Sequence, residues 1–188
     1  GVLVEEATGT WCPWCTRGTV FVEGLTKRYP EKFIGVAVHN EDPMAVAAYD
    51  DGIGGLIGGY PSSVVERGTD TDPSQLEAPF ASAVQQAPPA RLAVGAINDG
   101  GQLTVSVGAT FLEDVPVGYK LAAILIENGV TGTGTGFNQA NAYGGGGNGP
   151  MGGYELVGGT IAAADIVYNH VGRALIGGWN GDASSITT

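Results

Sequence analysis

The sequence predicts an α/β half followed by an all-β half, and three observations carry that prediction. An apolar strand pattern, a helix-spaced run and a second apolar strand follow one another before His39. Beyond Pro88-Pro89 the apolar period changes to two, as in half-buried strands. No apolar run approaches the roughly twenty residues that cross a bilayer, and the best, Leu121 to Ile126, is strand-sized. The chain as given is therefore expected to be soluble, and it begins almost directly on a strand pattern, as a matured or trimmed chain would.

Val2 to Glu6 reads as a short buried strand ending in two carboxylates, followed by the turn Thr8-Gly9-Thr10 and then Trp11-Cys12-Pro13-Trp14-Cys15, which holds both cysteines of the chain. Proline is accepted in a first helical turn, where its missing N–H would have gone unpaired. Phe21, Leu25 and Tyr29 repeat every four residues until Pro30, which places the cysteines at a helix N-terminus. Phe33 to Val38 is almost continuously apolar, as in a parallel strand covered on both faces. Met44 to Tyr49 is a candidate short helix, and Gly52 to Gly59, with five glycines, reads as a loop.

Tyr60-Pro61 precedes a small strand, Ser62 to Glu66. The stretch after Arg67 is too short for a further hairpin, so the sheet is expected to stop there. Asp72 is a helix cap with Pro73 at the first position, and Pro79 should break that helix before Phe80 to Gln86. Pro88-Pro89 sets a domain boundary, giving domains at 1–88 and 89–188. Arg91 to Ile97 and Leu103 to Phe111 form a hairpin across Asp99-Gly100, Tyr119 to Glu127 is a third strand, and further strands lie between Gly159 and Trp179. Between them, 131–153 is a long loop with ten glycines, read as flexible or partner-binding. It lacks the Gly-Lys-Ser/Thr ending of a phosphate-cradling loop.

Eight basic residues against nineteen acidic ones give a net charge of -11 and a pI near 4.3. Phosphate backbones and anionic membrane surfaces repel such a chain, so nucleic acid is excluded as a partner. The same balance suits a secreted or salt-exposed protein.

Two thiols separated by two residues at a helix start can close a small disulfide loop, and the helix dipole favours the thiolate of the first. Cys12 is thus the candidate nucleophile, and Cys15 the candidate that resolves the mixed disulfide. A purely structural disulfide is the alternative. Zinc needs four ligands, and only His39 and His170 could complete the set without a second paired motif; covalent haem needs His where Thr16 stands. No cofactor is called for.

The order of a strand, Trp-Cys-x-x-Cys at a helix start, a buried parallel strand and a later Tyr-Pro before another strand resembles thioredoxin-like proteins. By that resemblance Pro61 matches the cis-proline that lies against the disulfide, and Trp11, Pro13, Trp14, Tyr60 and Pro61 form the substrate contact. Val4 to Cys12, His39 to Asp42, Gly59 to Ser62, Asn128-Gly129 and Asn169-His170-Val171-x-Arg173 together resemble the Omp-28-like outer-membrane lipoprotein family of Bacteroidetes-type bacteria. That resemblance implies a thioredoxin-like N-terminal domain, an immunoglobulin-like β-sandwich after it, and an extracytoplasmic location. The five or six strands counted after Pro89 fall short of a closed sandwich.

Glu5 or Glu6 is a candidate for the buried carboxylate that moves protons for Cys15, or else a solvated strand end. His39 and His170 are read as structural, and Arg17 as a thiolate-favouring or solvated cation. Two functions remain open. One is thiol-disulfide exchange on protein partners; the other is a surface assembly subunit, polymerising through open β edges, whose disulfide only stabilises.

Overall fold

Val2–Thr8 (β1) forms the centre of the sheet because its apolar and acidic side chains are almost all excluded from water. The computed structural model describes residues 1–114 and 118–186. After β1 come helix α1 (Thr16–Arg28), strand β2 (Phe33–His39), helix α2 (Ala47–Gly54), strands β3 (Ser62–Val65) and β4 (Asp70–Thr71), and helix α3 (Glu77–Val84). Strands β5 (Ala90–Asp99), β6 (Gln102–Phe111), β7 (Ala123–Glu127), β8 (Gln139–Ala140), β9 (Thr160–Ile161) and β10 (Val171–Ile176) complete the order.

Six strands make one mixed sheet in the order β4-β3-β1-β2-β10-β7. β1 and β2 are parallel, with Val2 opposite Phe33 and Thr8 opposite His39. β3 is antiparallel to β1, with Ala7 opposite Ser62. Alternation along β1 sends Val2 and Val4 to one face and Ala7 to the other. On the first face Val2, Val4, Val22, Leu25, Phe33, Leu76 and Phe80 pack between the sheet, α1 and α3. On the second, Ala7, Val36, Val38 and Val64 pack on Tyr49 and Ile53 of α2. Each fully buried Val, Leu, Ile or Phe among them is worth roughly 1.5–3 kcal/mol over exposure.

α1 buries Thr16, Gly18, Val22 and Leu25, so its inner face is set by Val22 and Leu25, whereas Phe21 and Tyr29 sit at its margin. Lys27 and Arg28 occupy its last turn, where positive charge opposes the negative end of the dipole. Asp72 caps the 3₁₀ turn Pro73–Gln75 through the Ser74 N–H, as its sequence predicts. Pro79 does not break the following helix. It falls in the first turn of α3, where no intrahelical N–H is required.

Three further expectations are corrected. A short β4 does pair with β3, so the hairpin after Arg67 exists in two-residue form. The helix expected over Met44 to Tyr49 lies instead at Ala47–Gly54, running into the glycines read as a loop. The strands after Pro89 do not form an immunoglobulin-like sandwich among the described residues. They divide among a separate β5-β6 hairpin, the β8-β9 pair and the central sheet, where β10 lies parallel to β2 and β7 antiparallel to β10. The sheet thus draws on both sides of the boundary expected at 88/89. The cause is burial: Val171 is fully enclosed, and Ile124, Ile126, Leu175 and Trp179 add apolar surface to the α2 core.

Candidate functional site

The cysteine motif occupies the turn between β1 and α1. Cys12 N–H donates to the Gly9 carbonyl (3.1 Å), Cys15 N–H to the Cys12 carbonyl (3.3 Å), and Thr19 N–H to the Cys15 carbonyl (3.3 Å), so the turn winds directly into the helix. Cys12 and Cys15 form a disulfide with their Cα atoms 5.4 Å apart. Both are almost wholly buried. No acidic side chain stands in the first turn of α1, so the positive end of the helix is left to act on the sulfur beside it.

The exposed part of the motif is aromatic. Trp11 and Trp14 are 44% and 41% exposed although they flank buried cysteines. Trp11 Nε1 donates to the Asn40 carbonyl (2.8 Å), and its ring meets Tyr60 edge-on at 5.3 Å between centroids. Trp14 meets Tyr143 edge-on at 5.6 Å. The Tyr60-Pro61 bond is cis, and Pro61 is buried directly before Ser62, the residue paired with Ala7. Burial and the neighbouring Asp50 charge push the Tyr60 hydroxyl up to about 12. The Tyr-Pro turn and the cysteine turn therefore leave the same end of the sheet.

Below the motif lies Glu6. Its side chain faces α1, and a Cβ on Gly18, one turn beyond Cys15, would collide with its Oε1. That position accepts no side chain while Glu6 stays where it is. Oε1 is buried without a hydrogen-bond partner. Burial raises the Glu6 carboxyl to about 8, and the Thr8 hydroxyl opposes that only in part. A carboxylic acid tuned near neutrality and packed against Gly18, in the helix that starts at the second cysteine, is suited to proton transfer. Of the two carboxylates the sequence left open, Glu6 has this placement; Glu5 points to the opposite face.

His39 and Asp42 tie β2 to the same end. Asp42 Oδ2 accepts from His39 Nδ1 (2.6 Å) and from the Thr10 N–H (2.9 Å), and its Oδ1 accepts from the Met44 N–H (2.8 Å). Both side chains are nearly inaccessible. Arg17 pairs with Asp72 at 2.8 Å and donates to the Tyr143 hydroxyl at 3.5 Å.

Sequence inspection missed the segment that holds the motif in place. The long glycine-rich loop is not free: Ala140 N–H donates to the Thr10 carbonyl (2.8 Å) and Ala142 N–H to the Pro13 carbonyl (2.7 Å). Gln139 Nε2 donates to the Cys12 carbonyl (3.0 Å), and Asn141 Nδ2 to the Tyr154 carbonyl (2.8 Å). Gln139, Asn141 and Tyr143 are buried. The signal available was the Phe137-Asn138-Gln139 run, followed by Asn141 and Tyr143, in a stretch rich in glycine.

Among the described residues no group of three or more His, Cys, Asp and Glu side chains is placed to hold a metal ion. Among those residues, too, no helix is long and apolar enough to cross a membrane.

The class these elements define is mixed α/β with a six-stranded mixed sheet carrying a disulfide at a helix start. No family model and no curated protein matches the chain, so the Omp-28-like resemblance carries no family membership. Two solved structures are similar. HBP35 of Porphyromonas gingivalis superposes with a TM-score of 0.60 at 15% identity, over 93% of this chain and 56% of that one. Protein AGR_C_4864 from Agrobacterium tumefaciens gives 0.51 at 11% identity, over 93% and 70%. At such identities the likeness is one of fold. The chain spans little more than half the length of HBP35.

Proposed function

We propose that the chain is a thioredoxin-like protein of the cell envelope or exterior that exchanges disulfides with protein partners through Cys12 and Cys15. The observation that carries this reading is the pair at the acid-free start of α1 with the buried carboxyl of Glu6, one oxygen of which has no partner, packed under the same helix. In the reduced protein the Cys12 thiolate attacks a substrate disulfide, forming a mixed disulfide and expelling one substrate thiolate. Cys15, deprotonated by Glu6, then attacks Cys12 Sγ, closes the intramolecular disulfide and releases the second thiolate. Trp11, Pro13, Trp14, Tyr60 and Pro61 form the surface on which the substrate segment rests. The acidic balance, with 19 acidic and 8 basic residues, and the resemblance to envelope lipoproteins support the location.

Mixing each protein with a model protein disulfide tests this. Cys12→Ser should lose exchange altogether, and Cys15→Ser should accumulate a mixed disulfide that mass spectrometry detects. Equal turnover by wild type and Cys12→Ser would end the proposal.

One observation favours a second reading, an assembly subunit whose disulfide is only structural. The β5-β6 hairpin projects from the body with Leu92, Val94 and Ile97 63–69% exposed. Among the described residues neither of its strands pairs with a third. Long, apolar strands with open edges are templates for another chain. Light scattering that found only monomers at high concentration would rule this out.

A further inference from the structure

A carboxyl group sealed under a helix can serve repeated proton transfers only if protons can leave it. Glu6 lines a cavity of about 20 Å³, room for one water molecule. The titratable groups facing this space come from every element around it: Glu6 from β1, Glu23 from α1, His39 from β2, and Tyr154, Tyr168 and His170 from the segment that leads into β10. The two histidines differ in what they can do. His39 is buried and bound through Nδ1 to Asp42, so a proton reaching it would remain inside. His170 is half-buried at the rim, with a face toward solvent.

The backbone fixes His170 there independently of its ring. Its N–H donates to Asn128 Oδ1 (2.7 Å), its carbonyl accepts from the Ala37 N–H (2.7 Å), and its φ of 59° is left-handed. Beside it, Glu23 accepts from Asn169 Nδ2 and from Lys27 Nζ, both at 3.1 Å. Burial alone would raise the Glu23 carboxyl, but these donors outweigh it and hold the group below its ordinary range. The resulting negative charge favours a proton on His170, opposing the burial that lowers the imidazole.

We propose that His170 is the proton outlet of Glu6, a positioning residue that acts on the cysteine pair through one water molecule in this cavity and that rests on the exchange reading above. Glu6 first gives its proton to the water, which passes one to the neutral His170 imidazole and so to solvent. The Glu6 carboxylate then takes the Cys15 thiol proton as the Cys15 sulfur attacks Cys12 Sγ. The Cys12–substrate bond breaks as the Cys12–Cys15 bond forms, the leaving thiolate carries off the electron pair, and bulk solvent protonates it. The substrate disulfide gains two electrons and the cysteine pair loses two. Closure leaves the proton on Glu6; when a dithiol reductant restores the pair, Glu6 returns that proton to the Cys15 thiolate and is reprotonated from solvent through His170.

The test separates the two chemical steps in the full chain. Reduced protein is mixed with oxidised glutathione and quenched in acid at intervals, and mass spectrometry follows the mixed disulfide and the closed disulfide. His170→Asn keeps a residue that tolerates left-handed backbone and removes the titrating ring. Between pH 6 and 7 it should slow closure about tenfold while leaving glutathione attack unchanged. The deficit should vanish above the Glu6 value of about 8, where the carboxylate needs no prior release, and added imidazole should restore closure. Glu23→Gln should slow closure less, in the same pH range. Closure at the wild-type rate at every pH, or equal slowing of attack and closure, would overturn the outlet while leaving exchange intact. A wild-type protein that forms no mixed disulfide would instead remove the exchange reading itself.

Discussion

Glu5 and Glu6 are adjacent on β1 and equally hidden from water, yet the fold treats them in opposite ways. Glu5, facing α2, accepts from the Tyr49 hydroxyl (2.7 Å) and from Arg67 Nε and Nη2 at about 3.2 Å. Arg67 in turn lies 3.6 Å from the centroid of the Trp179 ring. Glu6, facing α1, keeps an oxygen with no partner. A buried charge with its counter-ion and donors in place is an element of structure. A buried carboxyl without them holds its proton near neutral pH and is available for chemistry. Two identical side chains one residue apart show that environment, and not residue type, separates a staple from a candidate acid-base group.

The largest effect should come from breaking the satisfied side. Arg67→Ala leaves the Glu5 charge enclosed and should destabilise by about 3–5 kcal/mol at neutral pH, read from urea unfolding. Glu5→Gln should also destabilise, because Arg67 then loses its counter-ion.

The same substitution at the neighbouring position should have the opposite sign. The folded Glu6 value of about 8 lies above the unfolded 4.5, so this group's stabilising contribution is complete below 4.5 and declines as pH rises toward 8. Glu6→Gln removes that decline. Its stability should match wild type in acid and exceed it by several kcal/mol above the folded value. A stability difference between the two proteins that does not change with pH would contradict the contrast. Smallest is Tyr49→Phe, which removes one donor from Glu5 while keeping the ring in the core and should cost about 1–2 kcal/mol. The charge of Glu5 raises the Tyr49 hydroxyl further than burial already does, so that donor stays protonated across the accessible pH range.

Much of the first half was legible because its signals are local. The apolar run of β2, the proline stop after α1 and the paired cysteines each act within a few residues, and the structure places them in the predicted order of strand, cysteine turn, helix and parallel strand. The inner face of α1 was misjudged by one position, since Phe21 and Val22 are both apolar and only packing against Val4 and Phe33 selects the latter. The second half misled for a related reason. Alternation marks β5 and β6 as strands, but it does not say which sheet a strand joins.

Composition and spacing by themselves determined that this chain is acidic, that it is α/β before it is β-rich, and that its two cysteines stand at a helix start where they can close a loop. Only the tertiary structure decided that β7 and β10 join the central sheet and that residues 139 to 143 hold the cysteine turn by its carbonyls. It also decided that Glu6, rather than Glu5, lies under that turn with His170 at the edge of its cavity. The pairing of β10 with β2 and the hold of 139–143 on the cysteine turn join residues more than a hundred positions apart. Nothing in the local pattern encodes them; they follow from which apolar surfaces bury the most area together.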